Sequence, residues 1–521
     1  MHLEQTPKTK LKRTGTRKSR TGCRTCRVRR IKCDENPGSC NNCTKTGRTC
    51  DYDIHRLPPS RQGGLTSERA CNLQLTPKIV ASFRWTITSD ERRCYSYFQH
   101  FTIPTLSEVF YSPLWRELIL QMSMSEPAVY HAVVALGAIH QDSETYGMPL
   151  PGQDLQNEWH RYAIEQCGRS FALLGRRHSS QDPTFRNIVL LCCLLFVLAQ
   201  LMRGQYDEAV QHISNGLRIL NEAYAQGSQE RLIEPCIITA FAHLGTQSLH
   251  YGVDEILNIE NVTEQQKSPP RGYDTFVNFH EAQWMLDSAL TAACRFLVRC
   301  EGLTEDEIAT NYVSLHDEQL QLLSLMSGFN DRFGSFLATA KLTPKEQRAA
   351  EIMLLNRRSL SMLVKIALIW DKTLIDHYTP EYEALMSMTE EIMKKYPERP
   401  TVMLELGILP PLYNAAMWCR DSNVQIRATK ALRAWPHREG LFDSNWLAFL
   451  ALQRMKADLS IERAPEATAR LVNESLKEEQ GRWQDLDRRE FTLGDALSST
   501  KCMRKWYCVQ GLQRITAMSI T

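Results

Sequence analysis

Six cysteines between residues 23 and 50 constrain this chain more than any other feature. Cys23, Cys26, Cys33, Cys40, Cys43 and Cys50 follow the spacing C-x2-C-x6-C-x6-C-x2-C-x6-C, so two halves of identical spacing repeat after 17 residues. Such a repeat predicts a pseudo-twofold unit. A C-x2-C pair at the start of a helix can bring two thiolates to one metal, and zinc is the ion that takes thiolates tetrahedrally. Two tetrahedral zincs need eight ligand positions, which six sulfurs fill only if two of them bridge. The pseudo-symmetry makes the bridging pair equivalent cysteines of the two halves.

Competing uses of these cysteines fit less well. Met1 to Arg20 is polar and basic, without the apolar stretch of a signal peptide, so an oxidising compartment and disulfides are not expected. The spacing is not that of an iron–sulfur run. A single-zinc finger would leave two cysteines over, with no histidine near them to use.

The charge of the 521-residue chain is unevenly spread. Formal net charge is only +3, but residues 1–50 hold 14 Lys and Arg against 3 Asp and Glu, and the remainder is acidic by 8. A basic head on a mildly acidic body predicts that the head meets a polyanion. Residues 1–22 read as a disordered basic tail whose spaced cluster, Lys8 to Arg20, suits nuclear import. Between Cys26 and Cys33 stand Arg27, Val28, Arg29, Arg30, Ile31 and Lys32, four cations in six positions. A short helix there, pinned by zinc at its base, would present them rigidly. Arginine suits bidentate pairing with guanine in the major groove. Arg24, Arg27, Lys32, Lys45 and Arg48 read as phosphate clamps that set register.

The stretch from Thr21 to Cys50, T-G-C-R-T-C-R-V-R-R-I-K-C-D-E-N-P-G-S-C-N-N-C-T-K-T-G-R-T-C, resembles the fungal zinc binuclear cluster family of DNA-binding transcription regulators. The resemblance implies two zinc ions bridged by Cys23 and Cys40. One ion would be held by Cys23, Cys26, Cys33 and Cys40, and the other by Cys40, Cys43, Cys50 and Cys23. It also implies that Arg30 first, and Arg29 second, approach the bases of a CGG triplet in GC-rich double-stranded DNA. The family places its loop proline two residues before the fourth cysteine, whereas here Pro37 stands three before Cys40.

Beyond the module, residues 51–90 read as a linker, with Pro58-Pro59 and Gly63-Gly64. Seven-residue steps from Leu57 meet Gly64 and Cys71, so no dimerising zipper follows the cluster. Residues 91–521 read as one large all-α domain, for a fold that is mostly α with a small N-terminal two-zinc module. Val129, Ala132, Val133, Leu136 and Ile139 step with helical period, as do Ala209, Val210, Ile213, Leu217 and Leu220. The only doubtful strand is Ile79–Ile87. Ile188–Met202 is apolar except for Gln200 but shorter than a bilayer requires, so it reads as a buried core helix of a soluble protein. With Gly204 and Tyr206–Leu220 it predicts a helical hairpin.

No catalytic motif stands out in the body. His280-Glu281 begins like a zinc protease motif, but Trp284 occupies the place of its second histidine. Cys192-Cys193 reads as core packing. The body resembles the second type of fungus-specific transcription factor domain, through Tyr97-Phe98, Ser125–His140, Pro410–Tyr413, Cys419–Asp421 and Pro436–Ser444. These later stretches read physically as packing and capping, with Asp443 or Ser444 capping the helix of Trp446, Phe449 and Leu450. The expected protein is a non-enzymatic, nuclear, sequence-specific regulator of RNA polymerase II transcription, acting with transcription machinery or co-regulators and serving a secondary-metabolite gene cluster. The alternative is a helical scaffold or enzyme stapled by the cluster.

Overall fold

The structure is a computed structural model. It describes residues 23, 25, 26, 29, 31–34, 40–48 and 50 of the cysteine module, and 85–149, 157–180, 182, 184–225, 233–251, 253, 275–369 and 372–461 of the remainder. The basic tail 1–22, the linker up to residue 84, Arg24, Arg27, Arg30, Pro37 and the body beyond residue 461 lie outside them. The chain divides into two compact units, Met1–Leu65 and Thr66–Thr521.

In the first unit one helical turn, α1 (Asn41–Thr44), follows Cys40. The second unit is helical almost throughout, and its helices start where the local chemistry allows. Helix α2 (Ser89–Tyr97) opens on a capping box: the Glu91 N–H donates to the Thr88 hydroxyl at 3.2 Å, and the Thr88 N–H donates to the Glu91 carboxylate at 2.7 Å. After α3 (Ile103–Leu106) and α4 (Ile119–Ser125), α5 (Pro127–Tyr146) starts with proline at its first position and stops at Gly147, whose φ is +79°. Nearly every side chain from Ala128 to His140 on α5 is buried, so this helix is the axis around which its neighbours pack. Gly137 is required there, because a Cβ would stand 2.3 Å from the Cys94 carbonyl oxygen of α2.

Helix α6 (Glu158–Gly175) is capped by Asn157, and α7 (Phe185–Met202) runs antiparallel to α8 (Tyr206–Ala225) across a turn with Gly204 at φ +74°. This is the hairpin expected from the sequence. Helix α7 is long and apolar enough to cross a membrane by composition alone, yet it is largely buried inside the helical body. Cys192 is buried within it.

Helices α9 (Pro235–Ser248), α10 (Phe279–Glu301), α11 (Glu305–Thr310), α12 (Tyr312–Thr339), α13 (Pro344–Ile366) and α14 (Thr379–Lys395) build the second half. Thr304 and Thr343 repeat the capping box at α11 and α13. Ala293, Phe296, Met326 and Val364 meet in a core shared by α10, α12 and α13.

The chain closes with α15 (Leu409–Trp418), α16 (Ser422–Ala434) and α17 (Ser444–Ile461). Among them lies a small sheet of two-residue strands, β1 (Val402–Met403), β2 (Arg438–Glu439) and β3 (Phe442–Asp443). Strand β1 runs parallel to β2, and β2 turns back antiparallel onto β3 through Gly440 at φ +54°. Ile87, the one described end of the doubtful strand, is not in a strand.

The sheet is held by buried charge. The Glu439 carboxylate accepts the N–H groups of Gly407, Ile408 and Leu409 at 2.8–3.0 Å, which fixes the start of α15. Arg438 donates to Asp443 at 2.7 Å and to the Tyr206 hydroxyl, with all three residues buried. Asp443 in turn accepts the Trp446 N–H at 3.0 Å and so caps α17, as expected of this aspartate. Ser444 instead accepts the His437 N–H at 2.9 Å.

Removing one member of this lattice strands the other. Arg438→Met leaves the Asp443 charge buried without its cation, a loss of roughly 3–5 kcal/mol. It is read as a lowered urea midpoint of the helical body, and Arg438→Met with Asp443→Asn should recover part of the loss.

Candidate metal centre and nucleic-acid interface

The cysteine module is built twice from the same local rules. In the first half the Cys26 N–H donates to the Cys23 sulfur at 3.3 Å, and the Ile31 N–H donates to the Cys26 carbonyl at 3.1 Å. In the second half the Arg48 N–H donates to the Cys43 carbonyl at 3.1 Å. Ile31 and Arg48 are equivalent under the 17-residue repeat, as are Cys26 and Cys43. The same symmetry relates the Cys23 N–H on the Cys33 sulfur, 3.3 Å, to the Cys40 N–H on the Cys50 sulfur, 3.1 Å. Gly47, at φ +61°, lets the second half turn towards Cys50.

The sulfurs obey the symmetry as well. Cys23 lies 3.6 Å from Cys43, and its counterpart Cys40 lies 3.5 Å from Cys26. On the pseudo-axis, Cys23 and Cys40 are 3.6 Å apart and Cys26 and Cys43 are 3.9 Å apart. Zinc–sulfur bonds of about 2.3 Å in a tetrahedron place two sulfurs on one ion about 3.8 Å apart. The separations of Cys23 from Cys40 and Cys43, and of Cys40 from Cys26, match that figure; Cys26 and Cys43 are equally close, although the two-ion set implied by the resemblance puts them on different ions. Cys23, Cys26, Cys33, Cys40 and Cys43 are buried, and Cys50 packs against them partly exposed.

In the thiol form this packing is unfavourable to charge. Burial pushes the Cys23, Cys26, Cys40 and Cys43 thiols up, so a cation must replace the protons for thiolates to persist side by side. The donor set fits a soft-tolerant divalent ion. Asp34 and the Cys33 and Cys40 sulfurs also lie within ligand reach of one another. Asp34, however, is exposed and already engaged: its carboxylate accepts the Asn41 N–H at 3.0 Å, which holds it below the usual carboxylate range.

Polar lashings cross between the halves. Arg29 donates through Nη1 to the Asn42 carbonyl at 3.3 Å and to the Thr46 hydroxyl at 3.1 Å, and the Asn42 amide donates to the Lys32 carbonyl at 2.8 Å. Asp34, Asn42 and Thr46 were not evident as functional residues in the sequence, because a lone side chain reaching across a loop leaves no periodic signal. Lys32, Lys45 and Arg48 are exposed, as phosphate contacts require.

Residues 21–58 match the fungal Zn(2)-Cys(6) binuclear cluster domain, and residues 93–246 match the fungal specific transcription factor domain. The chain thus carries a zinc-cluster domain followed by a fungal specific transcription factor domain. Its zinc-cluster domain is of the kind that binds DNA and holds two zinc ions, which supply structural cross-links in place of a hydrophobic core. Both domains describe transcription factors rather than enzymes.

Among curated relatives, the chain is 24% identical to the aspercryptin biosynthesis cluster-specific transcription regulator atnN of Emericella nidulans, over 84% of this chain and 87% of that protein. It is 28% identical to the transcription regulator lscL of Purpureocillium lilacinum, over 38% of this chain and 48% of the relative. A third, the Zn(2)-C6 fungal-type transcription factor afumD of Aspergillus fumigatus, is 31% identical over 25% of this chain and 34% of its own length. No solved structure matches the chain. The body match takes in Tyr97-Phe98 and Ser125–His140, whereas Pro410–Tyr413, Cys419–Asp421 and Pro436–Ser444 lie beyond it. Two of these stretches cap helices, Asp421 at α16 and Asp443 at α17.

The Arg29 lashing yields a test. Arg29→Ala removes both of its inter-half hydrogen bonds and should destabilise the module by roughly 1–2 kcal/mol, read as a lower urea concentration at which the intact chain releases zinc to a chromophoric chelator. An unchanged release profile with relaxed base preference would instead make Arg29 a reader of DNA.

Proposed function

We propose that this chain is a nuclear, sequence-specific regulator of RNA polymerase II transcription that reads CGG-like triplets in GC-rich duplex DNA. The observation that carries the reading is the pseudo-twofold thiol cage at the foot of the cation-rich segment Arg27–Lys32. Cys23, Cys26, Cys33 and Cys40 hold one zinc. Cys40, Cys43, Cys50 and Cys23 hold the other. Support for Cys23 and Cys40 as the bridges is that each lies within 3.6 Å of the other and of a sulfur in the opposite half. Arg30 pairs with guanine, and Arg24, Arg27, Lys32, Lys45 and Arg48 hold phosphates. Arg29, second choice for a base contact, spends one donor on the other half of the module.

Without a zipper after Cys50, the module engages a single triplet as a monomer. The helical body meets the transcription machinery or co-regulators. The similarity to a regulator named for a biosynthesis cluster, across most of both chains, favours target genes of secondary metabolism.

Metal content tests the ligand set. The wild-type chain should carry two zinc ions, counted by elemental analysis. Cys33→Ala removes a terminal ligand from one ion, whereas Cys40→Ala removes a bridge and should deplete both. A wild-type stoichiometry of one overturns the assignment.

Binding to matched and scrambled duplexes across a salt series tests the reading itself. Arg30→Ala should cost about 1–3 kcal/mol on a CGG site and far less on unrelated DNA. Lys45→Ala should weaken both alike and flatten the salt dependence by about one unit. Equal weakening of both duplexes by Arg30→Ala would reduce Arg30 to a clamp.

A further inference from the structure

The helical body encloses a cavity of about 480 Å³ between α9, α10, α13, α15 and the segment 404–406, inside the range of roughly 300–1,000 Å³ that small-molecule sites occupy. Most of its lining is apolar. Its walls are fixed from behind: the Gln247 amide donates to the Leu404 carbonyl at 3.0 Å, the Asn356 amide donates to the Gly407 carbonyl at 2.8 Å, and Glu439 gathers the N–H groups of 407–409. A pocket so braced is formed before any ligand arrives.

The polar groups of the lining are unequally matched. Among the described lining residues there is no lysine or arginine. Its cationic candidates are His280, exposed at the rim, and His243, which Asp287 engages at 2.7 Å. That carboxylate outweighs burial and pushes His243 up to about 9. Two acceptors have no protein partner. Asn414 is 2% exposed and its amide donates to Ser359, yet its Oδ1 accepts nothing; the Glu301 Oε2 is likewise buried without a donor. Glu301 is the last residue of α10, where the carbonyl ends of the helix add negative potential. Glu405, on the wall near His243, is a further, half-buried carboxyl, and desolvation pushes it up. His243 Nδ1 is also buried without a partner, so the demand of the Glu301 and Asn414 oxygens for a donor and positive charge stands beside that one ring nitrogen. An anion would find no cation that is both buried and uncommitted.

We infer that this cavity binds a small amphipathic molecule with an apolar body and a protonated amine, the amine seated on Glu301. The apolar walls take the body, and the ammonium supplies the proton donor and the charge that the Glu301 carboxyl lacks. Burial pushes that carboxyl up to about 8, so an arriving ammonium displaces a proton that the protein otherwise holds there. This site is independent of which triplet the zinc module reads.

Calorimetric titration of the full-length, zinc-loaded chain with decylamine, decanoate and decanol, all below micelle-forming concentrations, tests it. Decylamine should bind saturably and at least about tenfold more tightly than decanoate. Glu301→Gln, nearly isosteric, should weaken decylamine about tenfold and leave decanol unchanged. Leu290→Trp, which fills the cavity from α10, should abolish all three while helicity by circular dichroism is kept. Should that variant fail to fold, the contrast between decylamine and decanol in Glu301→Gln decides alone. Absence of saturable decylamine binding, decanoate binding as tight as decylamine, or indifference of decylamine to Glu301→Gln each overturns the proposal.

Discussion

Thiols packed 3.5–3.9 Å apart in a segment with almost no hydrophobic core are the constraint on which the N-terminal module depends. As thiolates they repel, and as thiols they offer weak hydrogen bonds in place of a core. A pair of divalent ions resolves both difficulties, because each cross-links turns distant in sequence and cancels charge that burial makes costly. Once the cage is set, the rest follows locally. Backbone N–H groups of Cys23, Cys26 and Cys40 point at sulfurs, and the Cys26 and Cys43 carbonyls accept equivalent backbone hydrogen bonds from Ile31 and Arg48. Cys26 and Cys33, which bracket the cation-rich segment in sequence, are both buried in this cage.

The helical body meets a comparable problem with ion pairs and backbone N–H groups. Arg438, Glu439 and Asp443 are fully or almost fully buried on the small sheet, yet each charge meets an opposite charge or a row of N–H groups. Desolvation makes such a lattice a poor source of net stability. What it supplies is position. Glu439 sets the start of α15, Asp443 sets the start of α17, and Gln247 ties the neighbouring turn through the Leu441 N–H and the Leu404 carbonyl. The walls of the cavity are set by the same groups.

How much of this was legible in the sequence depends on whether a feature repeats. The cysteine spacing repeats, so the paired cage could be read with its symmetry before any coordinate was known. Apolar periodicity repeats, so α5 and the α7–α8 hairpin were readable, and Asp443 was readable as a cap because caps stand just before a periodic run. Two-residue strands have no period to detect, and β1 to β3 were missed for that reason. Arg29 looked like its neighbour Arg30, and only the coordinates place its guanidinium on Asn42 and Thr46. The cavity was invisible because Glu301, Glu405 and Asn414 reach it from separate elements, and nothing in their sequence neighbourhoods distinguishes them from ordinary surface or core residues.

Charge separation along the chain completes the physical logic. The N-terminal fifty residues are basic by 11 and the remainder acidic by 8. At physiological ionic strength charges are screened beyond about 8 Å, so acidic side chains of the body do not neutralise the head over longer distances. A polyanion therefore senses the head as a separate basic patch. The nearly neutral total would mislead any argument from net charge alone, since association with nucleic acid responds to local field and counterion release. The acidic excess of the body has the converse effect: it disfavours non-specific adsorption of the helical domain to nucleic acid.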